Sequence, residues 1–155
     1  MPQLSAITSP GELYAHAIAI EREALDRYTE FAQRMEETGR KDIAVVFRML
    51  AGYEVEHLET LRRRTDGIPL PALASGTYQW RDASAPETPA RDLVAGLVSP
   101  RHALAIALDA EKRAQEFFRH VHRTAADPAL RALAQEMAAE EGSHIALVER
   151  ELARA

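Results

Sequence analysis

Four stretches of the chain place apolar residues at alternating spacings of three and four, with polar residues between them. This is the pattern of a helix that buries one face. Helix start signals precede three of the stretches: serine–proline pairs stand at 9–10 and 99–100, and an aspartate–proline pair at 127–128. Gly39 and the Asp-Gly-Ile-Pro sequence at 66–69 end the first two. The pattern predicts helices over 10–38, 42–65, 100–125 and 128–154.

The connections between these helices predict a bundle. Only a few residues join the first helix to the second and the third to the fourth, so each pair is expected to form an antiparallel hairpin. The segment 66–99 is long for an irregular connection, but a crossover from one end of a helix pair to the other needs about that length. Thr88-Pro89 can cap a short helix within it, ending at Leu97. We expect one all-α domain over 1–155, with two antiparallel hairpins joined by a long crossover.

Composition narrows the class of protein. The 155 residues are 46% hydrophobic and 28% charged, with a net charge of −5, which is typical of a globular protein. The absence of cysteine excludes disulfides, thiolate metal sites and cysteine nucleophiles. The basic run at 62–64 falls at a predicted helix end, where it complements the helix dipole, so we expect no nucleic-acid partner. Without a signal peptide or a long apolar run, we expect a cytoplasmic protein with no membrane span.

Each predicted apolar stripe carries one glutamate near its middle. Two of these glutamates begin Glu-x-x-His units that are offset by 87 positions, and the other two stand in a second repeat that is offset by 90. Residues at i and i+3 share a helix face, so a glutamate and a histidine can point to the same place. Helices of similar length, packed side by side, would bring all four acids to one level. The six residues are Glu21, Glu54, His57, Glu111, Glu141 and His144.

Four carboxylates on apolar stripes require neutralisation, because isolated buried charges are costly and like charges repel. No lysine or arginine stands on the four stripes. Two divalent cations would match the charge, and alanines at 17, 24, 107 and 114 leave room for metal, water and a small oxidant. Carboxylate and imidazole ligands suit iron or manganese, and zinc can bind such sites adventitiously. These ligand types therefore predict two divalent ions, iron or manganese, bound by the six residues; the alternative is that the acids are protonated.

Other polar residues near the stripes have simpler interpretations. Tyr28 lies two helical turns from Glu21 on the same stripe, where it either hydrogen-bonds a metal ligand or fills the core. The remaining histidines lie off the stripes and are expected to be solvated or to cap helices: His16, His102, His120 and His122. Several further glutamates are expected to be exposed helix acids: Glu23, Glu30, Glu56, Glu116 and Glu140.

One glutamate from each of two helices, with Glu-x-x-His from the other two, resembles the dinuclear carboxylate centre of ferritin-like four-helix bundles. The stretches 21–32 and 140–144 resemble the rubrerythrin group, and the resemblance covers about 10–154. It implies that the six residues are the ligands and that Glu54 and Glu141 bridge the ions. The chain has no cysteine-ligated rubredoxin domain. Ala114 stands where rubrerythrins carry an extra glutamate that exchanges during peroxide reduction, which leaves a six-ligand site closer to ferroxidase or oxygenase relatives.

The resemblance implies an oxidoreductase in which two ferrous ions reduce peroxide or dioxygen, with electrons from an unidentified donor. Two alternatives remain open: a ferroxidase or iron-handling protein that releases no organic product, and a di-iron hydroxylase, which needs an apolar substrate channel. A metal-free helical scaffold is the simplest competing interpretation. Tyr78 and Trp80 in the crossover, together with the length of the chain, favour a homodimer.

Overall fold

Four helices make up the structure, a computed structural model that describes residues 7–72 and 100–154. Within these two ranges there is no strand. The predicted helix bounds are confirmed to within one residue at each end. The crossover residues 73–99, with the short helix predicted inside them, lie outside the described residues. The helices are α1 Pro10–Glu37, α2 Lys41–Arg64, α3 Pro100–Thr124 and α4 Pro128–Arg154.

Capping explains where the helices begin and end. The Ser9 hydroxyl accepts a hydrogen bond of 3.2 Å from the backbone N–H of Glu12, which satisfies one of the free donors at the start of α1. Asp127 caps α4 in the same way through the backbone N–H of Ala129, at 3.0 Å. The turn after α1 passes through Gly39 at φ 84°, a conformation that glycine adopts without strain. The short turn sends α2 back along α1.

The predicted pairing of helices is confirmed. α1 packs along α2 and α3 packs along α4, and further contacts between α1 and α4 hold the two hairpins together. Within the described ranges, no helix is both long and apolar enough to cross a membrane. The fold is therefore a four-helix bundle built from two hairpins.

The apolar core consists of two clusters, and each draws residues from all four helices. One contains Phe31, Phe47, Leu104 and Val148, and the other contains Ile20, Leu61, Phe118, Leu130 and Met137. A fully buried side chain of this size contributes about 1.5–3 kcal/mol. The first cluster uses the C-terminal half of α1 and the N-terminal half of α2, and the second uses the opposite halves. The middle of every helix lies between the two clusters, at the same height along the bundle.

Candidate metal centre

The four predicted acids lie together at the middle level of the bundle, between the two apolar clusters. Glu21, Glu54 and Glu141 are each 1% exposed, and Glu111 is 3% exposed. Among the described residues, these four are the only polar or charged side chains that are buried. Each stands about halfway along its helix, so side-by-side packing places one acid from every helix at the same height.

The two predicted histidines turn their Nδ1 atoms toward these acids. Nδ1 of His57 lies 3.4 Å from Oε2 of Glu21. Nδ1 of His144 lies 3.3 Å from Oε1 of Glu54 and 3.5 Å from Oε2 of Glu111. Two groups result, in each of which one oxygen or nitrogen from every residue lies within 4.8 Å of the others: Glu21, Glu54 and His57, and Glu54, Glu111 and His144. Glu54 belongs to both.

Glu141 completes the cluster from the fourth helix. Its side chain interacts with Glu21 in one group and with Glu111 in the other. Its Oε2 is 3.8 Å from Nδ1 of His144. Glu54 and Glu141 are therefore the two acids that touch both halves of the cluster.

Several buried atoms of the cluster lack a hydrogen-bond partner in the described part of the chain. They are Oε1 of Glu21, Oε2 of Glu54, Oε1 of Glu141, Nδ1 of both histidines and Nε2 of His57, whose contact with the Glu140 carboxylate is an ion pair. A buried acceptor without a partner costs about 1–3 kcal/mol, and native proteins contain few of them. Cations bound between these oxygens and nitrogens would supply the missing interactions. The donor set, carboxylate oxygen with imidazole nitrogen, fits iron and manganese.

The acids differ in their protonation when no metal is bound. Burial and the negative charge of Glu21 raise the pKa of Glu54 and of Glu141 well above the ordinary value. Burial also acts to raise the pKa of Glu21, but hydrogen bonds with Glu54, Glu141 and His57 outweigh it and lower this pKa. The pKa of Glu111 is lowered too, since contacts with Glu141 and a histidine exceed the effect of burial. The surroundings therefore favour the neutral form of Glu54 and Glu141 and the charged form of Glu21 and Glu111.

Both histidines are protonated in the metal-free cluster. Burial acts to lower the pKa of His57, but the neighbouring carboxylates of Glu140 and Glu21 outweigh it and raise this pKa to about 9. In the same way Glu111 and Glu54 overcome the burial of His144 and raise its pKa to about 11. The carboxylates around the two rings therefore favour the protonated form of both histidines when no metal is bound.

Tyr28 has both of the roles considered for it: it hydrogen-bonds one of the predicted ligands, and it fills the core. Its hydroxyl donates a 2.6 Å hydrogen bond to Oε1 of Glu111, across the bundle from α1 to α3. Its ring is 2% exposed and lies 6.0 Å from the ring of Phe47 in the apolar core. The hydrogen bond fixes the orientation of one acid in the cluster.

Glu140 lies closer to the centre than the sequence predicts. It was expected to be an exposed helix acid, yet its side chain is 37% exposed and Oε2 contacts Nε2 of His57. Helical spacing gave no signal for this contact, because Glu140 lies beside the stripe that holds Glu141. Glu30, Glu56 and Glu116 are exposed, as expected. Two expectations are wrong: Glu23 is half-buried beside Arg27, and His16 is half-buried and stacked on Phe117 rather than solvated or capping a helix.

A polar cleft leads from the surface to the outer edges of both histidines. Its volume is about 240 Å³, and the residues that line it come from α2 and α4. They include Tyr53, Glu56, His57, Glu140 and His144. The acids lie behind the two imidazole rings, whose centroids are 6.1 Å apart. Small molecules can therefore reach the outer edges of the two rings from the cleft.

Comparison with known proteins agrees with this geometry. The family model described as rubrerythrin matches residues 12–79, a range that contains Glu21, Glu54 and His57. A crystal structure at 2.00 Å of an uncharacterized conserved protein from Magnetospirillum magnetotacticum MS-1 has a TM-score of 0.77 and 32% sequence identity, and the match covers 95% of each chain. No curated protein matches the sequence. The chain belongs to the rubrerythrin family, and its ferritin-like bundle contains carboxylate and histidine groups that can bind metal.

Proposed function

We propose that the protein binds two iron ions and uses them to reduce peroxide or dioxygen. The observation that carries the proposal is the pair of residue groups that share Glu54. Glu21 and His57 would hold one ion, and Glu111 and His144 the other. Glu54 would bridge them. Glu141 interacts with an acid of each group, which supports a second bridge.

The charge of the cluster supports two divalent ions rather than one. Four ionised carboxylates carry four negative charges, and two divalent ions carry four positive charges. Binding of two such ions would therefore displace protons from the cluster and leave the buried set neutral. One ion would leave either net charge or retained protons in a site that is almost fully buried. Manganese has the same ligand preferences and is the alternative metal.

The residues around the cluster fit a redox centre that works on a small molecule. Two ferrous ions can supply the two electrons that reduce one peroxide to two waters when two protons are added. Tyr28 holds Glu111 in place through its hydrogen bond. The apolar clusters on both sides exclude bulk water. The cleft lined by His57 and His144 gives a small oxidant room to approach the two histidines from the surface. We also propose that an external donor restores the electrons.

Metal content and peroxide decay test the proposal together. Wild-type protein, Glu54→Gln and the control Glu56→Gln are loaded anaerobically with ferrous iron, desalted and analysed for metal. Peroxide consumption is then followed. The wild type and Glu56→Gln, which changes an exposed acid two positions away, should hold two ions per chain and consume peroxide. Glu54→Gln should hold fewer ions and lose the reaction, because both groups share Glu54. Undiminished peroxide consumption by chelated wild type would overturn the proposal.

Iron oxidation for storage or delivery is a second candidate, and Ala114 favours it. Ala114 is buried three residues after Glu111, where a seventh carboxylate ligand is absent. A six-ligand site is sufficient for oxidation of ferrous iron by dioxygen. Repeated additions of ferrous iron in air separate the candidates. Uptake far beyond two ions per chain would favour iron handling, and saturation at two would favour the redox enzyme.

We further propose a homodimer in the cytoplasm. Val45 and Val55 on α2 are 61% and 41% exposed, and a second copy would cover such apolar surface. Light scattering measures the mass directly, and fractionation of cells tests the location.

A further inference from the structure

The two halves of the metal centre differ at the positions directly before Glu54 and Glu141. Glu54 and Glu141 begin the two Glu-x-x-His units, and the residue before each of them lines the cleft. In α2 this residue is Tyr53, and in α4 it is Glu140. The internal repeat would make the two halves alike, but here it pairs an aromatic residue with an acid.

Each of these residues faces the histidine of the opposite helix. Oε2 of Glu140 contacts Nε2 of His57. Tyr53 instead presents its ring to His144, with centroids 6.3 Å apart and planes tilted by 32°. Within the described ranges, the ion pairs of His144 all use Nδ1, the atom that faces the acids. A carboxylate therefore supports the outer nitrogen of one histidine, and an aromatic ring lies beside the other.

This difference matters for metal binding because a histidine binds metal through one nitrogen only. A carboxylate that accepts the Nε2–H of His57 keeps the proton on that nitrogen and leaves the Nδ1 lone pair for the ion. It also limits rotation of the ring and increases the electron donation of Nδ1. The ring of Tyr53 provides no comparable acceptor for His144. Loss of such an outer partner lowers metal affinity by about 10- to 100-fold in characterised sites.

We propose that Glu140 is a positioning residue for His57, and that it makes the Glu21–Glu54–His57 position bind its ion more tightly than the Glu54–Glu111–His144 position. The inference rests on the proposed function, because it requires two ions. It adds an order of loading: the position supported by Glu140 fills first. The two ions of the centre are then unequal, although the ligands repeat.

Cobalt(II) titration of the metal-free protein tests the order of loading. The visible absorption of cobalt changes with its ligands, so the first and second ions can be followed separately in anaerobic buffer. The wild type should bind two ions in resolved steps. Glu140→Ala should weaken the first step by about 10- to 100-fold. Glu140→Gln should recover part of the loss, because its amide oxygen can accept the same N–H.

Two further variants separate positioning from general charge. Glu56→Ala removes an acid from the same cleft, but within the described residues the ion pairs of His57 are with Glu21 and Glu140, so the change should leave both steps unaltered. Tyr53→Glu gives His144 a carboxylate neighbour at a position that is 40% exposed, and it should tighten the second step. In zinc-loaded protein, ¹⁵N NMR should detect the proton on Nε2 of His57 in the wild type and a broadened or shifted signal in Glu140→Ala.

The outcomes distinguish the inference from the proposed function. Equal first-step affinities in wild type and Glu140→Ala, or an equal loss in Glu56→Ala, would overturn the role of Glu140 while two-ion binding stands. A wild type that binds fewer than two ions would overturn the proposed function and the inference together. Circular dichroism of each metal-free variant checks that the helices are intact.

Discussion

Loading the metal-free protein with two divalent ions should release protons, and the structure sets how many. The pKa of His57 is about 9 and that of His144 is about 11, so at pH 7 each ring is at least about 99% protonated. Each ring must lose the proton from Nδ1 before this nitrogen can bind metal. Glu54 and Glu141, whose pKa values are raised by burial, can release two more. We expect about two to four protons for each pair of ions.

The sign of the pH dependence follows from this release. Because protons compete with metal for the same atoms, apparent affinity should increase as the pH rises toward 9. The combined constant for both ions should increase by about two to four decades per pH unit near neutrality. Ligands that were already deprotonated in the metal-free protein would give a nearly flat profile.

Calorimetry measures the number of protons directly. Zinc, which does not change oxidation state, is titrated into metal-free protein at pH 7 in two buffers of different ionisation enthalpy. The difference in heat gives the protons released. His144→Gln should lower the count, whereas His120→Gln, which changes an exposed histidine outside the cluster, should not. Release of less than one proton per pair of ions would refute the charge assignment of the metal-free cluster.

Three further predictions concern the same scaffold. Tyr28→Phe removes the 2.6 Å hydrogen bond to buried Glu111 and should lower metal-free stability by about 1.5–3 kcal/mol, measured by urea unfolding. Gly52→Ala should stabilise α2 by up to about 1 kcal/mol, since its added Cβ meets nothing within 4 Å, whereas Gly142→Ala should gain less because Gln115 lies 3.1 Å from the new atom. Thermal melting compares the pair, and an equal gain would contradict the packing argument. The raised pKa values of the two cluster histidines contribute stability below pH 6.5 that is lost as pH rises through about 9 to 11, so the urea midpoint of chelated protein should fall there. An unchanged midpoint would count against protonated rings.

The bundle and its cluster of acids can be predicted from the sequence because burial of the apolar residues determines both. A stripe of apolar residues fixes which helix face is buried, and an acid on that stripe must be buried with it. Glu21 and Glu111 were found in this way, although neither stands in a recognisable motif. Equal helix lengths then place them at one height.

Contacts between helices were harder to predict, because periodicity gives the face of a residue and not its partner. Tyr28 was placed on the correct stripe, but its bond to Glu111 depends on how α1 lies against α3. Periodicity predicts an exposed Glu140, because this residue stands one position away from the apolar stripe. Its contact with His57 depends on the reach of the side chain across the cleft. Distances of this kind arise from packing, which no single helix encodes.

Because an apolar cluster lies on each side of the acids, we expect the bundle to fold without metal bound at its centre. Each cluster packs residues of all four helices together at its own end of the bundle. Metal could therefore bind and leave at the middle while the helices stay packed at both ends. Replacing the acids with leucine would join the clusters into one continuous interior. Such a protein should melt at a higher temperature but could not bind metal at this level. The six polar side chains therefore lower the stability of the bundle at its centre.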